Sequence, residues 1–101
     1  MELKELEARM HAFVRGKGWY KPDSPKSQTP KNLAASLAIE AAEVLEHFQW
    51  REETAQPEAL AGELADVALY LLQLASVTGI DLEQAILQKL AANEQREWPD
   101  P

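Results

Sequence analysis

The stretch Glu40-Ala41-Ala42-Glu43-Val44 and its echo Glu63-Leu64-Ala65-Asp66-Val67 constrain this chain more than any other feature. Each sets two carboxylates three residues apart, followed at once by a β-branched apolar residue. Residues three apart share a helix face, so each pair presents its carboxylates side by side at the edge of an apolar stripe. Two such helices packed together bring four carboxylates to one spot. Unpaired, these groups repel, and a hard, oxygen-seeking cation such as Mg2+ resolves the repulsion. A salt-bridge ladder would need basic residues one turn on, and the chain has Val44, His47, Val67 and Tyr70 there. A solvated acidic helix face is the plain alternative. Acidic residues at a core boundary cost free energy unless paired or metal-bound, and the pattern occurs twice at matching positions, so the cation site is the expectation.

The surrounding periodicity predicts four helices and no strand. Leu3, Leu6, Met10, Phe13 and Val14 mark a first amphipathic helix to about Lys17, ended by Gly16 and Gly18. Trp19 to Pro30 is a loop punctuated by Pro22, Pro25 and Pro30. A second helix runs from about Lys31 to Trp50 on a face of Leu33, Leu37, Ala41, Val44, Leu45 and Phe48, with Thr29 or Asn32 as its cap. Glu40 lies beside that face, and Glu43 and Glu46 follow at steps of about 60°. After a polar connection, Pro57 opens a third helix that runs to about Thr78 and is closed by Gly79. Leu60, Leu64, Val67, Leu71 and Leu74 form its stripe, and further apolar residues extend well round it. A helix apolar on most sides seeks cover on most sides, here from another subunit. Asp81 caps a fourth helix to about Glu97, with Leu82, Ala85, Ile86 and Leu90 inside, and Trp98-Pro99-Asp100-Pro101 ends the chain. The expected class is all-α, a four-helix-bundle-like single domain over residues 1–101.

Composition removes several function classes. The 101 residues carry a formal net charge of −7, which disfavours nucleic acid and anionic membranes as partners. No cysteine is present, so thiolate metal sites and disulfides are excluded. The first residues are charged and amphipathic rather than signal-like, and the run Leu64 to Val77 is read as too short to span a bilayer. A soluble cytoplasmic protein is expected. A di-iron bundle needs Glu-x-x-His, but Ala8 and Val44 stand three residues before His11 and His47. An all-oxygen site selects Mg2+, with Mn2+ as a substitute.

Other residues are candidates around that site. Glu46, one turn beyond Glu43, is either a solvated glutamate or a general base for an attacking water. Trp19 in the loop and Trp50 at the end of the second helix either cover the bundle end or sandwich a nucleobase. Tyr70, one turn after Asp66, is core or ligand contact. Lys89, Asn93 and Arg96 fall on one face of the last helix, either solvated or facing a phosphate chain.

These motifs together resemble one family. The pair Glu40-x-x-Glu43, then Glu63-x-x-Asp66 after 19 intervening residues, is similar to the signature of MazG-like all-α nucleoside triphosphate pyrophosphohydrolases. Gly18-Trp19, Pro30-Lys31-Asn32-Leu33, Phe48-Gln49-Trp50, Tyr70-Leu71 and the Lys89, Asn93, Arg96 row make the likeness closest to the dCTP pyrophosphatase branch. The resemblance implies hydrolysis of a (deoxy)nucleoside triphosphate to monophosphate and pyrophosphate, in the service of nucleotide-pool cleansing. It implies Mg2+ on Glu40, Glu43, Glu63 and Asp66. It places Trp19, Trp50 and Tyr70 near base and sugar, and Lys89, Asn93 and Arg96 near the phosphates. It also implies a homo-oligomer, dimer or dimer of dimers, with sites between subunits. Gln28 and Thr29 stand where relatives often place a histidine, His11 is out of register with a base-contacting one, and the Lys21 to Gln28 loop is longer. All three touch the base pocket and leave the preferred base open. A dUTP-type or phosphoribosyl-ATP-type pyrophosphohydrolase and a non-enzymatic helical interaction module are the alternatives.

Overall fold

Four helices form where the punctuation allows them in the computed structural model, which describes residues 1–99. They are α1 (Leu3–Gly16), α2 (Pro30–Glu46), α3 (Pro57–Val77) and α4 (Leu82–Gln95), and the described residues contain no strand. Local chemistry sets most of their ends. Thr29 Oγ1 accepts from the Asn32 amide at 3.2 Å, and Asp81 Oδ1 accepts from Gln84 at 3.1 Å, each satisfying a free amide of a helix start. Gly18 and Gly79 both adopt φ +76°, the left-handed turn that glycine enters without penalty. The amides after them close both helices: Trp19 bonds to the Val14 carbonyl at 3.2 Å and Ile80 to the Ala75 carbonyl at 2.8 Å.

Two helix ends differ from expectation. α2 stops at Glu46, four residues early, because the chain tightens into three-residue turns (His47 to Val44 at 3.2 Å, Phe48 to Leu45 at 2.9 Å). α4 stops at Gln95, and Arg96 is extended with ψ 137°. Arg96 therefore leaves the helix face that Lys89 and Asn93 share. Its guanidinium stacks 4.0 Å above the Trp98 ring, whose Nε1 donates to the Asn93 carbonyl at 3.2 Å.

α2 and α3 pair extensively, α1 crosses α3, and α4 packs lightly on α3. The core is small: Met10, Val14 and Leu72 cluster, with Leu3, Trp19, Tyr20 and Leu82 against them. Leu33 and Ala75 are the other buried apolar residues. The bundle is not closed within one chain. Ile86 and Leu90, expected inside, are 48% and 52% exposed, and Leu64 and Leu71 of the α3 stripe are 52% and 41% exposed. The accessible surface is 7924 Å2, roughly 2,200 Å2 more than folded monomers of this size expose. The radius of gyration is 16.4 Å, against about 13 Å for a compact chain of this length.

α3 also corrects the bilayer estimate. Counted from Pro57, it has 21 residues and a mean hydropathy of 1.4 over 18 of them, so by length and composition alone it is long and apolar enough to span. Its acidic pair, however, meets that of α2.

Candidate active site

Pairing of α2 with α3 brings Glu40, Glu43, Glu63 and Asp66 together. Glu40 registers the encounter. Burial raises its carboxyl above the ordinary value of 4.5, and hydrogen bonding with Glu43 and the charges of Glu43, Asp66 and Glu63 raise it further. Glu40 Oε2 and Glu63 Oε2 are both buried without a hydrogen-bond partner. Glu40 Oε2 has lost its hydration and gained nothing in return, whereas Glu63 Oε2 keeps a contact with His47. Among the described residues no three acidic or imidazole groups close into a ready-made cation cage. A bound cation would offset the mutual repulsion of the four carboxylates. The orphaned oxygens and the all-oxygen donor set fit a hard divalent ion.

His47 is the group that sequence reasoning missed. Its Nε2 stands 2.5 Å from Glu63 Oε2, a close contact off the line of a hydrogen bond. Its Nδ1 lies 2.6 Å from the Thr54 hydroxyl. With Nε2 facing a carboxylate, the neutral ring carries its proton there and Nδ1 accepts from Thr54. His47 sits one turn after Glu43, a spacing that put it on the carboxylate flank.

Two cavities flank the cluster. One, of about 550 Å3, lies between α1, α2, α3 and the proline loop. Trp19, Tyr70, Asn32, Gln28, Gln73 and Asp66 are among its lining residues. The size suits a small organic ligand. Phe13 meets the Trp19 ring edge-on at 5.7 Å, and the Lys26 ammonium sits 4.9 Å over it. The other cavity, of about 280 Å3, is lined by Glu43, Glu46, His47, Trp50, Arg51 and Glu63, among others. Asp66 thus belongs to the wall of the first, and Glu43 and Glu63 to that of the second.

The sequence and fold have counterparts among known proteins. Residues 35–100 match the MazG-like family. The chain belongs to that family. It is 35% identical to dCTP pyrophosphatase 1 of Mus musculus, over 87% of this chain and 55% of that protein. The chain therefore spans about half the length of this relative. It is 31% identical to a dATP/dGTP diphosphohydrolase of Cyanophage S-2L, over 95% of this chain and 77% of that one. A crystal structure of a pyrophosphatase from Archaeoglobus fulgidus superposes with a TM-score of 0.74 at 37% identity, covering 96% of this chain and 92% of that one.

The other expected site residues of this MazG-like chain are distributed unevenly. Tyr70 and Trp19 share the larger cavity with Asp66; Glu46 and Trp50 share the smaller one with Glu43 and Glu63. The two tryptophans line different cavities, so one chain does not sandwich a base between them. Trp50 is 87% exposed. Lys89, Asn93 and Arg96 line neither of these two cavities. Arg51, unremarked in the sequence, does enter the smaller one.

Glu40 yields a pH prediction. A carboxyl raised in the folded state binds its proton more tightly there than in the unfolded chain. Its stabilising contribution is complete below pH 4.5, the ordinary value, and is lost as pH rises through the raised value. The metal-free protein is expected to melt lower as pH climbs through that window. Glu40→Gln should flatten this part of the melting profile and raise the neutral-pH Tm. An unchanged pH profile in the variant contradicts the assignment.

Proposed function

We propose that this MazG-like domain is a Mg2+-dependent nucleoside triphosphate pyrophosphohydrolase that releases a monophosphate and pyrophosphate. The observation that carries this reading is the meeting of Glu40, Glu43, Glu63 and Asp66, with two buried oxygens that no hydrogen bond satisfies, beside an aromatic cavity of about 550 Å3. Three relatives named for nucleotide or pyrophosphate hydrolysis support it.

In this reading the base enters the larger cavity against Tyr70 and Trp19, and the triphosphate runs past Asp66 toward Glu43 and Glu63. Glu40, Glu43, Glu63 and Asp66 hold the divalent cation, Mg2+ or Mn2+, which when bound neutralises phosphate charge and acidifies water. Glu46, on the open side of the smaller cavity, accepts a proton from the attacking water. The new bond joins that oxygen to the α-phosphorus, and the bond from the α-phosphorus to its bridging oxygen breaks. Pyrophosphate leaves with the bonding pair. Arg51 contributes positive charge in the same cavity. His47 holds Glu63 from behind, with Thr54 fixing the ring.

The subunit is a homo-oligomer, dimer or dimer of dimers, in this proposal. Burying a surplus of roughly 2,200 Å2 per chain against a second copy, through the open apolar faces of α3 and α4, falls in the range of permanent homodimers. It also gives Lys89, Asn93 and Arg96 a route to the phosphates, from a neighbouring copy. A cytoplasmic role in clearing unwanted nucleotides, with neither nucleic acid nor membrane as partner, suits the charge of −7. Incubation with a panel of ribo- and deoxynucleoside triphosphates, with and without Mg2+, tests the proposal. Metal-dependent release of monophosphate and pyrophosphate in equal amounts is expected. No release from any nucleotide would leave the exposed apolar faces as those of a helical interaction module. Release confined to dUTP or a phosphoribosyl nucleotide would move the chain to another substrate branch.

A further inference from the structure

A file of side-chain hydrogen bonds runs from the proline loop into the core and ends at the wall of the larger cavity. Gln28 Nε2 donates to the Lys26 main-chain carbonyl at 2.6 Å. That carbonyl can only accept, so the Gln28 amide has one possible orientation. Its Oε1 therefore faces Gln73, whose Nε2 donates to it at 2.7 Å. The reverse orientation of Gln73 would set two carbonyl oxygens against each other. The second N–H of Gln73 points to the Tyr20 hydroxyl at 3.3 Å. Tyr20 in turn lies 2.6 Å from His11 Nδ1, and His11 Nε2 lies 2.7 Å from Ser76 Oγ. With the imidazole neutral, Tyr20 donates to Nδ1 and Nε2 donates to Ser76. Burial raises the Tyr20 phenol above its ordinary range, and the Gln73 bond and the Arg15 charge offset part of this.

Both amide hydrogens of Gln73 are thus committed, and its carbonyl oxygen has no hydrogen-bond partner among the described residues. Gln73 is only 4% exposed, yet it lines the cavity, and its oxygen is not among the sealed-off polar atoms. A buried glutamine held in one orientation at the wall of an open cavity, with its one acceptor uncommitted, is a built recognition element. An acceptor there rewards a ligand N–H and leaves a ligand carbonyl opposed.

We propose that Gln73 is a specificity-determining residue that reads the exocyclic amino group of a nucleobase, with Gln28 and the Lys26 carbonyl fixing which atom it shows. The assignment rests on the larger cavity holding the base. At the exocyclic position cytosine and adenine offer the acceptor an amino group, where uracil and hypoxanthine carry an oxygen.

Two substrate pairs isolate this feature: the deoxynucleoside triphosphates of cytosine against uracil, and of adenine against hypoxanthine. Wild-type kcat/KM is expected to favour the amino member of at least the better-accepted pair by about tenfold or more. Gln73→Met removes the acceptor at similar volume and should bring the ratio to about one, with metal-dependent turnover retained. Gln28→Lys, at a half-buried position of a largely exposed loop, offers a donor in place of the Oε1 acceptor. It should turn the Gln73 carbonyl inward, present its amino group to the cavity and invert the preference, a result that loss of packing does not produce. Circular dichroism checks the fold, and if Gln73→Met is unfolded the Gln28→Lys ratio decides.

Binding of dCMP and dUMP without metal is measured in parallel by calorimetry. Tighter dCMP binding in a protein without turnover would sink hydrolysis and keep the role of Gln73. Turnover with equal ratios in wild type, or a wild-type ratio unchanged in both variants, overturns the proposal. Absence of both turnover and selective binding overturns it together with the nucleotide reading.

Discussion

Replacing Glu43 by Gln or Asp66 by Asn is expected to abolish triphosphate hydrolysis while leaving the helices intact. Each change keeps the shape of the side chain and removes one negative charge from a cluster of four. Loss of a charged cation ligand removes several kcal/mol of transition-state stabilisation, so kcat/KM should fall by roughly a thousandfold or more. Stability should move the other way. In the metal-free protein these carboxylates repel one another, as the raised Glu40 carboxyl shows, and neutralising one relieves the others. The two effects separate a cation ligand from a structural residue. Melting curves with and without Mg2+ provide the second readout. In wild type, a cation present at a hundredfold over its Kd adds about 2.7 kcal/mol of stability; in the variants that increment should vanish. Mg2+-dependent turnover at wild-type rates in both variants would sink the assignment, and a variant that melts early without metal would expose a structural role instead.

The carboxylate pairs were legible because they obey local geometry. A three-residue step on a helix fixes the relation of Glu40 to Glu43 and of Glu63 to Asp66 before any tertiary contact forms. Helix starts were legible for the same reason: Thr29, Pro30, Pro57 and Asp81 act on their own neighbourhoods. The end of α2 was not, because no glycine or proline separates Glu46 from Trp50. The chain leaves the helix through turns whose His47 side chain is held by Thr54, seven residues on. Gln73 lies inside the apolar run Leu64 to Val77. Its partners Gln28 and Tyr20 lie 45 and 53 residues away, and His11 meets Ser76 across 65. Periodicity carries no information about such pairs. The expected burial of Ile86 and Leu90 failed for a different reason. The spacing correctly marks an apolar face on α4, but spacing cannot tell whether the cover comes from the same chain.

That distinction can be tested through catalysis. The Lys89 and Arg96 side chains line neither of the cavities beside the carboxylates of their own chain, while α3 and α4 leave wide apolar faces open. If a second copy covers those faces and brings its own α4 row to the phosphates, each active site draws carboxylates from one subunit and cations from the other. Two defective chains should then complement. Asp66→Asn lacks the cation site, and the double variant Lys89→Ala with Arg96→Ala lacks phosphate contacts; each alone should be nearly inactive. In a mixed dimer both lesions fall in one site and the other site is intact. Random assortment makes half the dimers mixed, so a co-refolded equimolar mixture should recover about a quarter of wild-type activity. If the row serves its own chain, every site in the mixture carries a lesion and no activity returns. Sedimentation of the same mixture shows whether the copies associate. Association without recovery would retain the oligomer and remove the shared site, whereas a monomer at micromolar concentration would remove both.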